Sequence, residues 1–455
     1  MSRGGSWARK RLTGLLAMGL GGCTVITIPA EPVGPSSSPP RRSVPAEEPS
    51  ARPAPPMPGG TGAPVYLDPV RPFEEIRALW VVRFTLTSEE TVMEMVERAS
   101  AAGFNTLIVQ VRGRADAFYT SDLEPRGESV REPEPFDPLA LVIREAHARG
   151  MAVHAWVNTH LVWGPTDPPE SPRHLVHDHP DWLAVPKALG RVLFAVDPFD
   201  STYLARLVEH AAANDHAVEG IYTSPSHPAV QDRVHAVWLD LARRYDLDGL
   251  HFDYIRFPSA EYDYSLGALE RFRIWVRLEV DAERFAALDT AYSRDLYAFV
   301  EGEPELWDAF RRQQVTTLVE RIYRDVKALN PRLVVSAAVI ADRELAYDDR
   351  FQDWPAWLRD GILDIAVPMA YTPDASRFVD LIDTARDAAG DRRRVWAGIG
   401  AYMNTPENTL GMIDIARSED AGGVVVFSYD WVVGEGEGDP SNPLLERIGR
   451  ARFGR

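Results

Sequence analysis

From Glu75 to the neighbourhood of Trp431, apolar runs of strand length alternate with stretches of helical period, and the alternation repeats eight times. Strands separated by helices join by right-handed crossovers into a parallel sheet, and eight such units are the number that closes a (β/α)8 barrel. The pattern therefore predicts an α/β fold, a TIM-type barrel with long insertions after strands 3 and 4. A doubly wound open sheet is the alternative architecture. Strands are predicted over 76–84, 106–111, 152–158, a segment ending near Asp253, 333–340, 362–371, 395–402 and 423–429. Helices are predicted over 88–102, 138–149, 230–245, 306–329, 375–389 and 406–420, with Ser88 as an N-cap. The Pro- and His-rich stretch 160–228 and the helical-looking stretch 259–305 both follow strand carboxyl ends. They are expected to wall a cleft there, where ligands of parallel α/β proteins bind.

The remaining N-terminal part reads differently. Arg3 and Arg9-Lys10-Arg11 precede an apolar run from Leu12 to Leu20, then Gly21, Gly22 and Cys23. A charged start, a short apolar core and small residues describe a signal peptide over 1–22, and the run is too short to span a bilayer. Leu20-Gly-Gly-Cys23 resembles a bacterial lipobox, so Cys23 is the expected lipidation site; it is the only cysteine among 455 residues. Residues 23–72 are rich in Pro, Ser and Ala and are predicted to be an extended linker. The barrel domain occupies 73–455. Thr24 after the lipidated cysteine points to an outer-membrane anchor facing the periplasm.

A formal charge of −18 argues against nucleic acid as a partner, because phosphate contacts need clustered Lys and Arg. No Walker loop, dinucleotide fingerprint, HExxH or GxSxG occurs, so nucleotide and serine-hydrolase chemistry lack support, and no cofactor is expected. The cluster His174-Leu-Val-His-Asp-His179 raises a metal reading, yet His179-Pro-Asp-Trp182 reads more naturally as a structural turn.

Carboxyl groups at strand ends are the natural candidates for chemistry. Cleaving a glycosidic bond usually takes two, one to protonate the departing oxygen and one to act as nucleophile or base. Asp253 lies in Asp248-Gly-Leu-His-Phe-Asp-Tyr-Ile-Arg-Phe-Pro258, at the predicted end of the fourth strand. Asp116 follows the second, where it either joins the chemistry or pairs with Arg112 or Arg114. Glu124 and Asp430 are weaker candidates. Arg83, Gln110, Arg112, Trp156, Asn158, His160, Tyr254, Arg256, Tyr371, Tyr402, Tyr429 and Trp431 are candidate substrate-binding residues. Aromatic faces stack on pyranose rings, and amides and guanidinium groups hold hydroxyls or carboxylates.

Several segments taken together resemble the bacterial glycosyl-hydrolase-like family ten, whose members include lipoproteins that cut peptide-free peptidoglycan strands. They are Glu75-Ile-Arg-Ala-Leu-Trp-Val81, the 110–119 segment with Leu123-Glu-Pro125, Asp137-Pro-Leu139, Glu145-Ala-His-Ala-Arg-Gly150, His154-Ala-Trp-Val-Asn158, His179-Pro-Asp-Trp182, the 245–253 segment, Val367-Pro-Met-Ala-Tyr371 and Gly398-Ile-Gly-Ala-Tyr402. The resemblance implies a barrel, a two-carboxylate glycosidase mechanism with Asp253 and Asp116 at the family's positions, and no required metal. Here Asp253 is followed by Tyr254, where the family commonly has a second aspartate. The expected function is hydrolysis of cell-wall glycan, with Asp253 as nucleophile or base and Asp116 as acid. A glycan-binding lipoprotein without catalysis is the alternative.

Overall fold

The computed structural model describes residues 74–164, 168–434 and 443–454. Cys23, the signal peptide and the linker lie outside them. The strands are β1 (Ile76–Val81), β2 (Thr106–Arg112), β3 (Ala152–Asn158), β4 (Leu161–Trp163), β5 (Ile221–Tyr222), β6 (Gly249–Asp253), β7 (Val334–Ile340), β8 (Ile365–Met369), β9 (Trp396–Gly400) and β10 (Gly423–Phe427). Eight of them close a parallel barrel in the order β1-β10-β9-β8-β7-β6-β3-β2, while β4 and β5 pair antiparallel outside it. The predicted (β/α)8 architecture is thus the observed one, and the open-sheet alternative is not.

The two-residue period of the strands sorts their side chains. Ile76, Ala78 and Trp80 of β1, Ile108 of β2, Trp156 of β3 and Val425 of β10 belong to one apolar cluster, which fills the barrel. Leu79, Val81, Leu107, Val109, Val153 and Val157 belong to another, packed under the helices. Polar residues share the interior: the indole N–H of Trp80 donates to Nε2 of His251 at 3.2 Å, and His251 Nδ1 meets Ser336 Oγ at 2.9 Å.

Ser88 caps the helix Glu89–Ala101: its Oγ accepts the Thr91 N–H, while Thr91 Oγ1 accepts the Ser88 N–H. Four strands end short of their predicted carboxyl limits: β8 at Met369, β9 at Gly400, and β1 and β10 for visible reasons. β1 stops at Val81 because Arg83–Thr85 winds into a 3-10 turn closed by Thr85 N–H to Val82 O at 3.1 Å. β10 stops at Phe427 because the helix Tyr429–Val433 begins there.

Both insertions leave the carboxyl ends of their strands, and they are tied together. The Val185 N–H donates to Asp263 Oδ1 at 2.8 Å, the Tyr264 N–H to Val185 O at 2.7 Å, and the Tyr297 hydroxyl to Lys187 O at 2.9 Å. The second insertion packs its aromatic residues Tyr264, Phe272 and Tyr297 against Trp307 and Phe310 of the helix Pro304–Leu329 that follows it. The insertions therefore form one joined mass over the same end of the barrel, beside β3 and β6.

Candidate active site

Asp253 closes β6, three residues beyond Leu250, which belongs to the outer core, and two beyond His251, which meets Trp80 inside the barrel. Alternation therefore turns Asp253 inward, at the rim where the strands end. The residue is only 8% exposed. Oδ2 accepts the indole N–H of Trp156 at 3.1 Å, and Oδ1 accepts the backbone N–H of Tyr254 at 2.7 Å. The second contact depends on Tyr254 adopting φ +50°, a left-handed conformation that costs a tyrosine on the order of 1 kcal/mol. That turn folds the amide back onto the preceding side chain. Burial pushes the Asp253 carboxyl up to about 6, against the two N–H donors and the Arg256 charge; Glu219 adds a smaller upward push.

A polar row continues along the rim. In the β3–β6 register Asn158 lies opposite Asp253. Asn158 accepts from Gln110 Nε2 at 3.3 Å and donates to Gly113 O at 2.9 Å. Gln110 Oε1 in turn accepts Nη1 of Arg83 at 3.1 Å. Arg83 lies flat over Gly113, where a Cβ would sit 2.4 Å from its Cδ, so only glycine permits this approach. On the other side of the mouth stand aromatic rings. Trp156 and Phe427 have centroids 6.4 Å apart, Phe427 and Tyr371 5.8 Å, Tyr371 and Tyr402 5.8 Å, and Tyr402 and Trp431 6.4 Å. Asp253 thus sits between a hydrogen-bonding side and an aromatic side, the two surfaces that a sugar ring offers partners for.

Behind Tyr254, Arg256 is 2% exposed and its Nη2 meets Glu219 Oε1 at 2.6 Å. The Tyr222 hydroxyl donates to the other Glu219 oxygen at 2.6 Å, and the Arg256 guanidinium lies 4.9 Å from the Tyr254 ring centroid. Burial pushes the Glu219 carboxyl up, but Arg256 and the Tyr222 hydroxyl outweigh it and hold it below the usual carboxylate range. This pair joins the first insertion to the segment after β6.

Other expected residues are placed elsewhere. Arg112 forms a buried ion pair with Glu124 at 2.7 Å, side chains 1% and 3% exposed, and donates to Asn158 O and Thr159 O. The pair clamps the β2 loop to the end of β3 and keeps the Arg112 guanidinium engaged within the protein. His160 is fully buried against Thr223 Oγ1 at 3.1 Å, and burial drives its imidazole down to about 3. The helix that starts at Tyr429 turns that ring into the outer core with Val432, Leu445 and Ile448. Asp116 forms no ion pair with Arg112 or Arg114; its Oδ1 accepts the N–H groups of Gly113 at 3.2 Å and Arg114 at 2.7 Å. Asp430 accepts the Thr85 hydroxyl at 2.6 Å, and burial raises its carboxyl.

The histidines of the first insertion act singly. His174 Nε2 lies 2.5 Å from Arg114 O, His177 Nε2 lies 2.8 Å from Pro169 O, and His179 stacks on Trp182 at 3.9 Å. Sequence reasoning missed Glu219 and Phe427. Phe427, on the inward parity of the last strand, was legible in principle; Glu219 sits in an aperiodic stretch and carries no signal of its own.

A family profile described as Glycosyl hydrolase-like 10 matches residues 75–403. Glycosyl hydrolase YngK of Bacillus subtilis is 25% identical over 330 residues, covering 65% of this chain and 54% of that protein. Glycosyl hydrolase DigH of Escherichia coli is 23% identical over 346 residues, 69% of this chain and 66% of that protein. The chain so spans between half and two thirds of the length of these relatives. Among solved structures, the PgaB (BpsB) glycoside hydrolase domain from Bordetella bronchiseptica superposes with a TM-score of 0.56 at 14% identity, over 83% of this chain and 98% of that one. The catalytic domain of beta-amylase from Paenibacillus polymyxa gives 0.53 at 10% identity, over 84% and 98%. At such identities the likeness is one of fold. With the profile covering most of the described barrel, the chain belongs to the glycosyl hydrolase-like 10 family.

Proposed function

We propose that this protein is a membrane-anchored glycoside hydrolase that cuts glycosidic bonds in cell-wall glycan, peptidoglycan strands in particular, with Asp253 as its central carboxyl. The observation that carries the reading is the setting of Asp253: inward on the barrel rim, held by Trp156 and Tyr254, and pushed to about 6 by burial. A carboxyl so placed is still substantially protonated in mildly acid surroundings and suits a general acid that hands its proton to the departing glycosidic oxygen. This exchanges the roles expected from sequence. Asp116, fixed by two backbone N–H groups, is the candidate for the second carboxylate, acting on water or on the anomeric carbon. The anchor rests on Leu20-Gly-Gly-Cys23, and outer-membrane placement on Thr24.

The test is release of reducing ends from peptide-free glycan strands by the protein and by Asp253→Asn. Loss of at least about a hundredfold in the variant supports the assignment; undiminished release sinks it. A second reading, glycan binding without catalysis, draws on Asp116 being engaged by its own loop. Glycan affinity without product from any strand would favour it. Labelling by a fatty acid that disappears in Cys23→Ser tests the anchor.

A further inference from the structure

Three arginines lie on or beside β2, and among the described residues only Arg112 of the three forms an ion pair. Arg112 is closed off by Glu124. Among the described residues, the Arg83 side chain has one hydrogen-bonding side-chain partner, the neutral amide of Gln110, and its guanidinium faces the exposed ring of Phe84 at 4.4 Å. Arg114 is half-buried against Gly164, where a Cβ would lie 2.1 Å from its Nη1. Among the described residues, its Nε and Nη1 are buried without any hydrogen-bond partner. A guanidinium whose buried donors are unmet carries an uncompensated charge, a cost that a nearby anion offsets through space. The two cations are close enough to act on each other. Burial lowers Arg83 to about 10, Asp116 opposes this, Arg114 lowers it further, and the Tyr254 phenol opposes. Arg83 lies over Gly113, the residue before Arg114, and Gly113 O accepts from Asn158, the strand partner of Asp253, so the two arginines share the turn that borders the polar row. Their facing groups are Asp116, which supplies one negative charge, the backbone carbonyl of Arg114 held by His174, and the uncharged row Gln110–Asn158. Two cations against one anion leave a local positive excess in a chain whose formal charge is −18.

We propose that Arg83 and Arg114 form a subsite that receives a carboxylate carried by a sugar of the glycan. The inference rests on the reading of the cleft as a glycan site and adds the chemistry it selects. Guanidinium groups match a carboxylate with paired N–H donors, and an alcohol or an amide in its place forfeits the charge-assisted bonds. A muramic acid without peptide presents such a group on its lactyl ether, and a uronic acid presents one on its ring. Attachment of a peptide turns the lactyl carboxylate into an amide, so this subsite would distinguish bare from peptide-bearing strands.

The experiment measures affinity by titration calorimetry, using the full-length Asp253→Asn protein, which on the reading above holds the strand uncut. The ligands are peptide-free peptidoglycan oligosaccharides and the same oligosaccharides with their carboxylates reduced to alcohols. A uronate oligosaccharide and its reduced form run beside them. The subsite predicts at least about tenfold tighter binding of the acid form in one pair, and the pair that discriminates identifies the sugar. Arg114→Gln, which removes no hydrogen bond of its own side chain, is expected to cut the preference at least about threefold. Arg83→Gln with Arg114→Gln should bring it near one. Equal binding of acid and alcohol in both pairs overturns the subsite alone, as does a preference that survives the double substitution in a protein of unchanged thermal midpoint. Failure to bind any of the four overturns the glycan reading and this inference together.

Discussion

The indole N–H of Trp156 donates to Asp253 Oδ2 at 3.1 Å while the backbone of Tyr254 donates to Oδ1, so both oxygens of the candidate acid are held from within the protein. Burial still outweighs both donors, and the carboxyl sits at about 6. If Asp253 is the acid, kcat/KM falls as pH rises through about 6, because the proton to be donated is lost. If it is instead the nucleophile, the same ionisation appears as a rise. Trp156→Phe removes a hydrogen bond to the charged form, so the limb should move to higher pH and kcat/KM should drop by about tenfold or more. A limb that stays in place in Trp156→Phe would separate it from Asp253.

The Glu219–Arg256 pair offers a second control on that limb, with opposite signs. Asp253 is faced by Trp156 from β3, by the Tyr254 N–H, by the Arg256 cation and by the Glu219 anion; Arg350 bears on Glu219 in turn. Glu219→Gln removes the anion and leaves Arg256 less compensated, so Asp253 ionises more readily and the limb moves to lower pH. Arg256→Gln does the reverse. A pH–rate series on both variants checks this, and shifts in the same direction would refute it.

Much of this architecture was legible because it follows from period and composition. The strand Ala152–Asn158 and the helix Ala375–Ala389 fall where their side-chain periods put them, and Ser88 caps as its residue type suggests. The failures share a cause: they turn on partners that only the fold brings together. Arg112 and Arg83 look alike in sequence, yet a loop carries Glu124 back to Arg112, while among the described residues Arg83 hydrogen-bonds to the neutral amide of Gln110. His160 follows two residues after Asn158, but β4 starts at Leu161 and carries the chain under the first insertion, so the ring is sealed beside Thr223. Glu219 gains its role from Arg256, 37 residues away.

The Arg112–Glu124 pair makes a stability prediction. Both side chains are almost wholly buried, and the guanidinium also donates to the carbonyls at the end of β3. Glu124→Gln leaves that cation in place without its counter-charge, which costs about 3–5 kcal/mol in comparable buried pairs. Denaturant unfolding should show the loss as a lower midpoint with an unchanged slope. Because Asn158 pairs with Asp253 across β3 and β6, activity should fall as well. A midpoint within error of the original protein would mean that the pair carries no such burden.

Acid should unfold the barrel from the inside. His154 and His251 share its interior and His160 is sealed beneath the first insertion; burial holds them at about 4, well below the ordinary value, and about 3 respectively. All three are neutral in the folded state, with pKa depressed from 6.5, so the stability they confer is present above pH 6.5 and is lost as pH falls below it. Asp253 acts in the opposite sense. Its folded pKa of about 6 lies above the ordinary 3.8, so the folded state takes up a proton between these values that the unfolded chain does not. From these four groups alone, the unfolded state binds roughly two more protons than the folded one near pH 5, a contribution to the slope on the order of 3 kcal/mol per pH unit. Denaturant midpoints measured from pH 7.5 down to pH 4.5 should fall steadily. His160→Gln, neutral throughout, should flatten the fall by about one proton, and Asp253→Asn should steepen it by about the same. Midpoints that hold level across this range would show that the interior imidazoles ionise without cost, against everything their burial implies.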